Sequence, residues 1–266
     1  MFQGYKDYEN IKDANSDFEI VISTTLGDRE EQQDAFGYEL MSGEGLVVVC
    51  DGMGGHNGGK LASNVAVKTF LETYANAYPF SDVVPFLHHA VFQANTSVCN
   101  LKDQNGNPLK GGSTLVALVI KNKELFWLSV GDSRAYLFRD GQLAQFTLDH
   151  NYGTVLKEQL NAGIIDHGKY EVENQKSEAL ISFLGMQELK LIDYNDSSLK
   201  LQSNDKIIIM SDGLYKLISD QEIERLIDNF SNIEDTLKAF EMKAERIASQ
   251  KKISRDNMTV ALIKIK

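Results

Sequence analysis

Val47-Val48-Val49-Cys50-Asp51-Gly52-Met53-Gly54-Gly55-His56 is the stretch on which the reading of the whole chain turns. An apolar run drives a strand into a core, and the first residue to leave that core is an ionisable acid. Glycines follow at once, which lets the backbone come close to whatever the acid holds. An acid at the end of a core strand is a common seat for an active site, although Asp-Gly alone is also ordinary turn chemistry.

The pattern recurs. Residues 125–130 (Leu-Phe-Trp-Leu-Ser-Val) run into Gly131-Asp132-Ser133-Arg134, and residues 207–210 (Ile-Ile-Ile-Met) run into Ser211-Asp212-Gly213. Near the end the order reverses, and Arg255-Asp256-Asn257 precedes an apolar run from Met258. In antiparallel sheets the finish of one strand lies beside the start of its neighbour, so these four acids can share one edge of a core. Carboxylates that close repel one another unless cations sit among them. The choice is between a multinuclear metal site and four unrelated turns, and the recurrence favours the metal.

A net charge of −11 and a sequence pI near 5.0 argue against non-specific binding to nucleic acid or anionic membranes. No stretch approaches ~20 consecutive apolar residues, so no transmembrane span is expected. The start of the chain is polar and acidic, without a signal-peptide core. Cys50 and Cys99 lack a metal-ligand spacing and read as reduced thiols of a cytoplasmic protein. His88-His89 reads as helix surface.

Three prolines and no repeat leave no linker between domains. We expect a loose arm over 1–16 and one domain over 17–266. Strands are expected at 18–24, 35–40, 45–50, 114–120, 125–130, 134–138, 142–147, 180–184, 189–194, 207–210 and 257–265. Asn122-Lys123 and Asp140-Gly141 are hairpin signals. Helical stripes follow Asn57 (Leu61, Val65, Phe70, Tyr74) and Asp82 (Leu87, Val91, Ala94, Val98), and two more are expected at 149–160 and 233–247. Residues 161–179 read as an irregular flap beside a site. Runs such as Leu115-Val116-Ala117-Leu118-Val119-Ile120 imply strands covered on both faces. Hairpins make the sheets antiparallel, so the expected fold class is α+β: a four-layer α-β-β-α sandwich, two antiparallel sheets flanked by helix pairs.

Carboxylates without clustered His or Cys favour hard cations, Mg²⁺ or Mn²⁺ over Zn²⁺. Two such ions suit phosphate-ester hydrolysis, because they can hold a water, lower its pKa and aim it at phosphorus. Arg29, in Gly27-Asp28-Arg29-Glu30-Glu31-Gln32-Gln33-Asp34, is the best candidate to hold the phosphoryl oxygens. Arg134 is expected to pair with the adjacent Asp132. Ser211 has no paired base near it in sequence, and a metal-activated water makes a covalent step unnecessary.

From Asp17 to Lys266 the chain resembles the metal-dependent protein phosphatases of the 2C type, in particular their bacterial branch. The resemblance rests on ordered blocks: Arg29-x-x-x-Gln33-Asp34-Ala35, residues 49–56, Gly112-Ser113-Thr114-Leu115, residues 130–136, Thr147-x-Asp149-His150, Ser211-Asp212-Gly213-Leu214 and residues 255–260. It implies a phosphoserine/phosphothreonine protein phosphatase with phosphorylated proteins as substrates and a cognate Ser/Thr kinase; a monomer is expected. It implies that Asp51 bridges two metal ions, with the Gly52 carbonyl, Asp212 and Asp256 completing their shells. Asp132, with Asp212, resembles the acids that hold a third ion; Arg29 matches the phosphate-binding arginine and Asp34 an acid supporting the cluster. Gln33 stands where many members carry Glu, and Met53 where eukaryotic members carry a proton donor. His56 is a candidate proton donor or a brace for the glycine loop. Gly112-Ser113-Thr114 and Asp149-His150 are expected to have structural roles, the latter fixing the turn into the next helix. Two rival readings keep the fold, as a phosphoprotein-binding module or as a phosphatase of small esters.

Overall fold

The computed structural model describes residues 8–55 and 57–266. The first half runs β1 (Tyr8–Ala14), β2 (Phe18–Thr25), β3 (Asp34–Met41), β4 (Glu44–Met53), α1 (Gly58–Ala77), α2 (Val83–Cys99), β5 (Gly112–Ser113), β6 (Leu115–Lys121) and β7 (Glu124–Val130). Then follow β8 (Arg134–Arg139), β9 (Gln142–Gln145), α3 (Tyr152–Asn161), α4 (His167–Glu173), β10 (Asp193–Tyr194), β11 (Leu199–Lys200), β12 (Lys206–Met210), α5 (Asp212–Tyr215), α6 (Asp220–Asn229), α7 (Ile233–Lys251) and β13 (Met258–Ile265).

Period-two alternation sorts the strand residues into layers. On β4, Leu46, Val48 and Cys50 face α1 and α2, whereas Val47 and Val49 face the other sheet. On β12, Ile207 and Ile209 lie between the sheets, while Ile208 and Met210 face α6 and α7. The strands are apolar at every position because both of their faces are buried. One sheet has the order β1-β2-β13-β12-β8-β9; the other has β10-β7-β6-β4-β3, with β11 on β7 and β5 on β4. All these pairings are antiparallel. The four-layer sandwich is as expected.

Several local expectations need correction. Residues 8–14 of the expected loose arm form β1, paired with β2 from Tyr8↔Thr25 to Ala14↔Glu19. The ladder, rather than an apolar face, holds this edge strand, so its polar sequence hides it. The segment 161–179 is not irregular throughout. It contains α4, whose first turn is capped by Asp166 accepting from Lys169 N at 2.7 Å, but none of whose residues is buried. Residues 180–184 make isolated bridges, Asn151↔Leu180 and Ser113↔Leu184, rather than a strand. The helix expected from 149 starts at Tyr152, with Asn151 as its cap.

Candidate active site

Asp51 continues the Val47, Val49 face of β4 and emerges at the edge of the inter-sheet layer. Asp34, the first residue of β3, lies directly opposite it in register. The other sheet delivers the remaining acids: Asp212 follows β12 and opens α5, and Asp256 precedes β13. Asp132 sits just beyond β7. Ser211 joins the two sheets here, because its hydroxyl donates to Asp34 Oδ2 at 2.8 Å and accepts from Thr259 N at 2.9 Å. Its proton is thus committed to Asp34, and Ser211 is buried.

Two glycines let the loops close. A Cβ on Gly52 would lie 2.2 Å from the Gly59 carbonyl oxygen. Gly27 has φ of +66°, and its Cβ would lie 2.3 Å from the Asp256 carbonyl oxygen. Arg255 fastens the same two loops by donating to Asp28 through its backbone N at 2.9 Å and its guanidinium at 2.8 Å.

The acids perturb one another. Burial raises the Asp51 pKa well above the ordinary carboxylate value, and the charges of Asp34, Asp212, Asp132 and Asp256 raise it further. Burial pushes Asp34 up to about 7, opposed by its hydrogen bonds from Ser211 and Thr259. Burial and then Asp212 push Asp132 up to about 6, opposed by Lys216 and by the Tyr215 hydroxyl. Five carboxylates that feel each other's fields form one cluster, short of positive charge. Among the described residues, Arg29 lies 2.5 Å from Asp256 Oδ2, and Lys216 lies 2.7 Å from Asp212 Oδ2.

An open cleft of about 710 Å³ is lined by Arg29, Asp51, Gly52, Asp212 and Asp256, among others. Asp34 and Asp132 lie behind it, at 5% and 7% exposure. The donor set fits hard divalent cations, being made of oxygens that repel without them. Among the described residues, no three His, Cys, Asp or Glu side chains converge tightly enough to hold an ion as they stand. The engagement of Asp212 and Asp256 by Lys216 and Arg29 gives a physical reason.

Arg134 does not pair with Asp132. It forks onto Asp149, with contacts of 3.0 and 2.7 Å, and stacks on the Tyr215 ring at 3.8 Å from its centroid. Closeness in sequence misleads here, because Asp132 lies in the turn between β7 and β8 while Arg134, the first residue of β8, is held by Asp149 and the Tyr215 ring. Asp149-His150 is structural, but what it holds is the Asp132 loop: His150 Nδ1 accepts from Gly131 N at 3.2 Å. Thr114 shares a hydrogen bond with Ser133 at 2.7 Å and accepts from Asp51 N at 2.9 Å, tying the Gly112-Ser113-Thr114 block to two acids. The Gln33 amide donates to the Gly54 carbonyl at 3.2 Å. Met53 lines the cleft. His56 lies outside the described residues.

Sequence reasoning did not single out Tyr215, Lys216 or Asn257. Lys216 stands four residues after Asp212, the helical spacing that brings side chains together, and that signal would have found it. Asn257 accepts from Gln33 N at 2.8 Å and donates to the Leu26 carbonyl at 2.8 Å, a link that no local pattern reveals.

The model of the family described as "Protein phosphatase 2C" matches residues 25–251. The chain belongs to the protein phosphatase 2C family. Among curated members, protein phosphatase PhpP of Streptococcus pneumoniae is 27% identical over 250 residues, covering 92% of this chain and 96% of PhpP. The serine/threonine phosphatase of S. agalactiae superposes with a TM-score of 0.79 at 24% identity, over 94% of this chain and 100% of that one. The catalytic domain of the phosphatase PstP, solved with two manganese ions, superposes with a TM-score of 0.73 at 22% identity, over 94% and 98%. Such coverage matches the 2C fold across both sheets and both helix layers.

Proposed function

We propose that this chain hydrolyses phosphoserine and phosphothreonine monoesters in proteins, using two Mg²⁺ or Mn²⁺ ions. The observation that carries the reading is the cleft in which Arg29 faces Asp51, Asp212 and Asp256. The S. agalactiae and PstP relatives are serine/threonine phosphatases, which supports that substrate class, and the manganese ions of PstP support the metal.

On this reading Asp51 would bridge the ions, and the Gly52 carbonyl, Asp212 and Asp256 would complete the set. Asp132 and Asp212 are the acids at which the family resemblance would set a third cation. When bound, the ions would lower the pKa of the attacking water and neutralise charge on the phosphoryl oxygens. Arg29 would leave Asp256 for the incoming phosphate, whose oxygens its planar fork fits better than a lysine would. Asp34, held by Ser211 behind the cleft, would keep Asp51 in place from the opposite strand. A cytoplasmic location, a monomeric state and a Ser/Thr kinase as the opposing enzyme, as in bacterial signalling, belong to the same reading.

The test compares a phosphothreonine peptide with small phosphate esters, each in Mn²⁺ and then in excess chelator. Release of phosphate from the peptide, lost with chelator, is the expected result. Turnover that survives chelation would overturn the metal chemistry, and preference for small esters would move the substrate class.

A further inference from the structure

Lys216 has no part in the hydrolysis proposed above, yet it occupies the middle of the acid edge. Its Nζ lies 2.7 Å from Asp212 Oδ2 and 2.9 Å from Glu178 Oε2. Its charge also acts on Asp132, against the repulsion from Asp212. Lys216 ends the short helix α5, so its ammonium folds back four residues onto the acid that opens that helix.

Glu178 belongs to the flap, 38 residues away along the chain. The flanking carbonyls of Ser177 and Ala179 accept from Gly153 N at 2.8 Å and Tyr152 N at 2.9 Å, which docks this stretch on the first turn of α3. The Tyr215 hydroxyl hydrogen-bonds Asp132, and Arg134 stacks on the Tyr215 ring. The Asp132 side of the cluster is therefore furnished with the protein's own hydroxyl and its own ammonium.

We propose that Lys216 is a built-in cation standing where Asp132 and Asp212 would otherwise take up a third metal ion, and that it latches the flap through Glu178 to the acid edge. The inference rests on the two-ion phosphatase reading. An ammonium is a compact point charge with three donors. With Asp212 Oδ2 and Glu178 Oε2 it already holds two oxygens at ion-pair distance. A further divalent cation at the same place would meet the ammonium's charge with twice its own. Lys216 is thus a positioning residue, acting through Asp212 and the flap.

Calorimetric Mn²⁺ titration of the full chain, with bound metal counted after gel filtration, tests the first half. The wild type and Lys216→Arg should bind two ions. Lys216→Met should bind three, and adding Asp132→Asn to it should return the count to two. Limited proteolysis of the metal-free protein tests the latch: cleavage within 161–179 should quicken about threefold in both Lys216→Met and Glu178→Gln, the scale of one lost exposed ion pair. Should Lys216→Met fail to fold, the wild-type count and Glu178→Gln still decide. Three ions in the wild type, an unchanged count in Lys216→Met, or unchanged cleavage in Glu178→Gln would overturn the inference while peptide turnover stands. A wild type that binds no Mn²⁺ and turns over no phosphopeptide would overturn the phosphatase reading together with it.

Discussion

Strand β12 carries charge at both of its ends, and the two ends treat it differently. At its start, Arg139 forks onto Asp205 with contacts of 2.8 and 2.6 Å. Next to it the buried Lys206 ammonium donates to the Ile227 and Phe230 carbonyls, both at 2.7 Å, and so closes the end of α6. At the other end, about 17 Å along a five-residue strand, Asp212 joins four more carboxylates; burial, and then the charges of the other four, raise the pKa of Asp51 among them. Buried charge that finds its partner within the chain serves the fold. Buried charge of one sign, gathered at a cleft and only partly matched, is costly unless something else supplies the opposite sign. The contrast separates structure from function without reference to any relative.

The comparison breaks most visibly at Asp212. Asp212→Asn keeps the shape and a partner for Lys216 but removes one negative charge from the cluster. Activity should fall by more than about a hundredfold, the upper range for losing merely an outer partner of a metal ligand. The melting temperature of the metal-free protein should stay level or rise, because repulsion is relieved. Near-normal turnover, or a clear loss of fold, would put Asp212 on the structural side.

Asp205→Ala should do the reverse. It leaves Arg139 only the Lys200 carbonyl at 2.9 Å and removes the acceptor for Gln202 N at 2.7 Å. Breaking a buried pair of this kind costs about 3 kcal/mol, or about 6–12 °C in a chain of this size. Phosphatase activity per folded molecule should not change. Thermal melts beside rate measurements check both halves, and a drop in turnover without a drop in melting temperature would erase the distinction between the two ends.

How much of this was legible in advance follows from the range of the interactions. The core strands announce themselves because both faces are buried and every residue of 115–120 or 207–210 is apolar. The acids Asp51, Asp132, Asp212 and Asp256 are legible because each borders such a run, whereas Asp34 is reached only through the family resemblance, and its place opposite Asp51 needs the fold. Strand β1 is not, since an edge strand needs only its ladder. Helix α6 is not among the expected elements, although Ile223 and Ile227, buried four residues apart behind Ser219 and Glu222, are a usable signal among polar neighbours. The Arg134–Asp149 fork and the Lys216–Glu178 contact join residues that no periodicity relates. Composition and pattern locate elements; side-chain partners across loops need the fold.

The smallest effect concerns pH, and it tests whether the acid edge lacks positive charge. Asp34 rises from the ordinary carboxylate value of 3.8 to about 7 in the folded chain. A raised carboxylate pKa means that the folded state binds a proton more tightly than the unfolded one. Its stabilising contribution is full below about 3.8 and is lost as pH rises through about 7. The metal-free protein should therefore melt several degrees lower at pH 8 than at pH 6, with a slope of at most roughly 1.4 kcal/mol per pH unit for each proton. The acids held by cations, Asp28 and Glu222, have lowered pKa values, so their contribution is lost only at more acid pH and does not blur this window. Asp34→Asn should flatten the slope, and saturating Mn²⁺ should remove it by supplying the missing charge. A melting temperature that rises from pH 6 to 8 without metal would mean that the carboxylates are already compensated from within, as they are around Asp205.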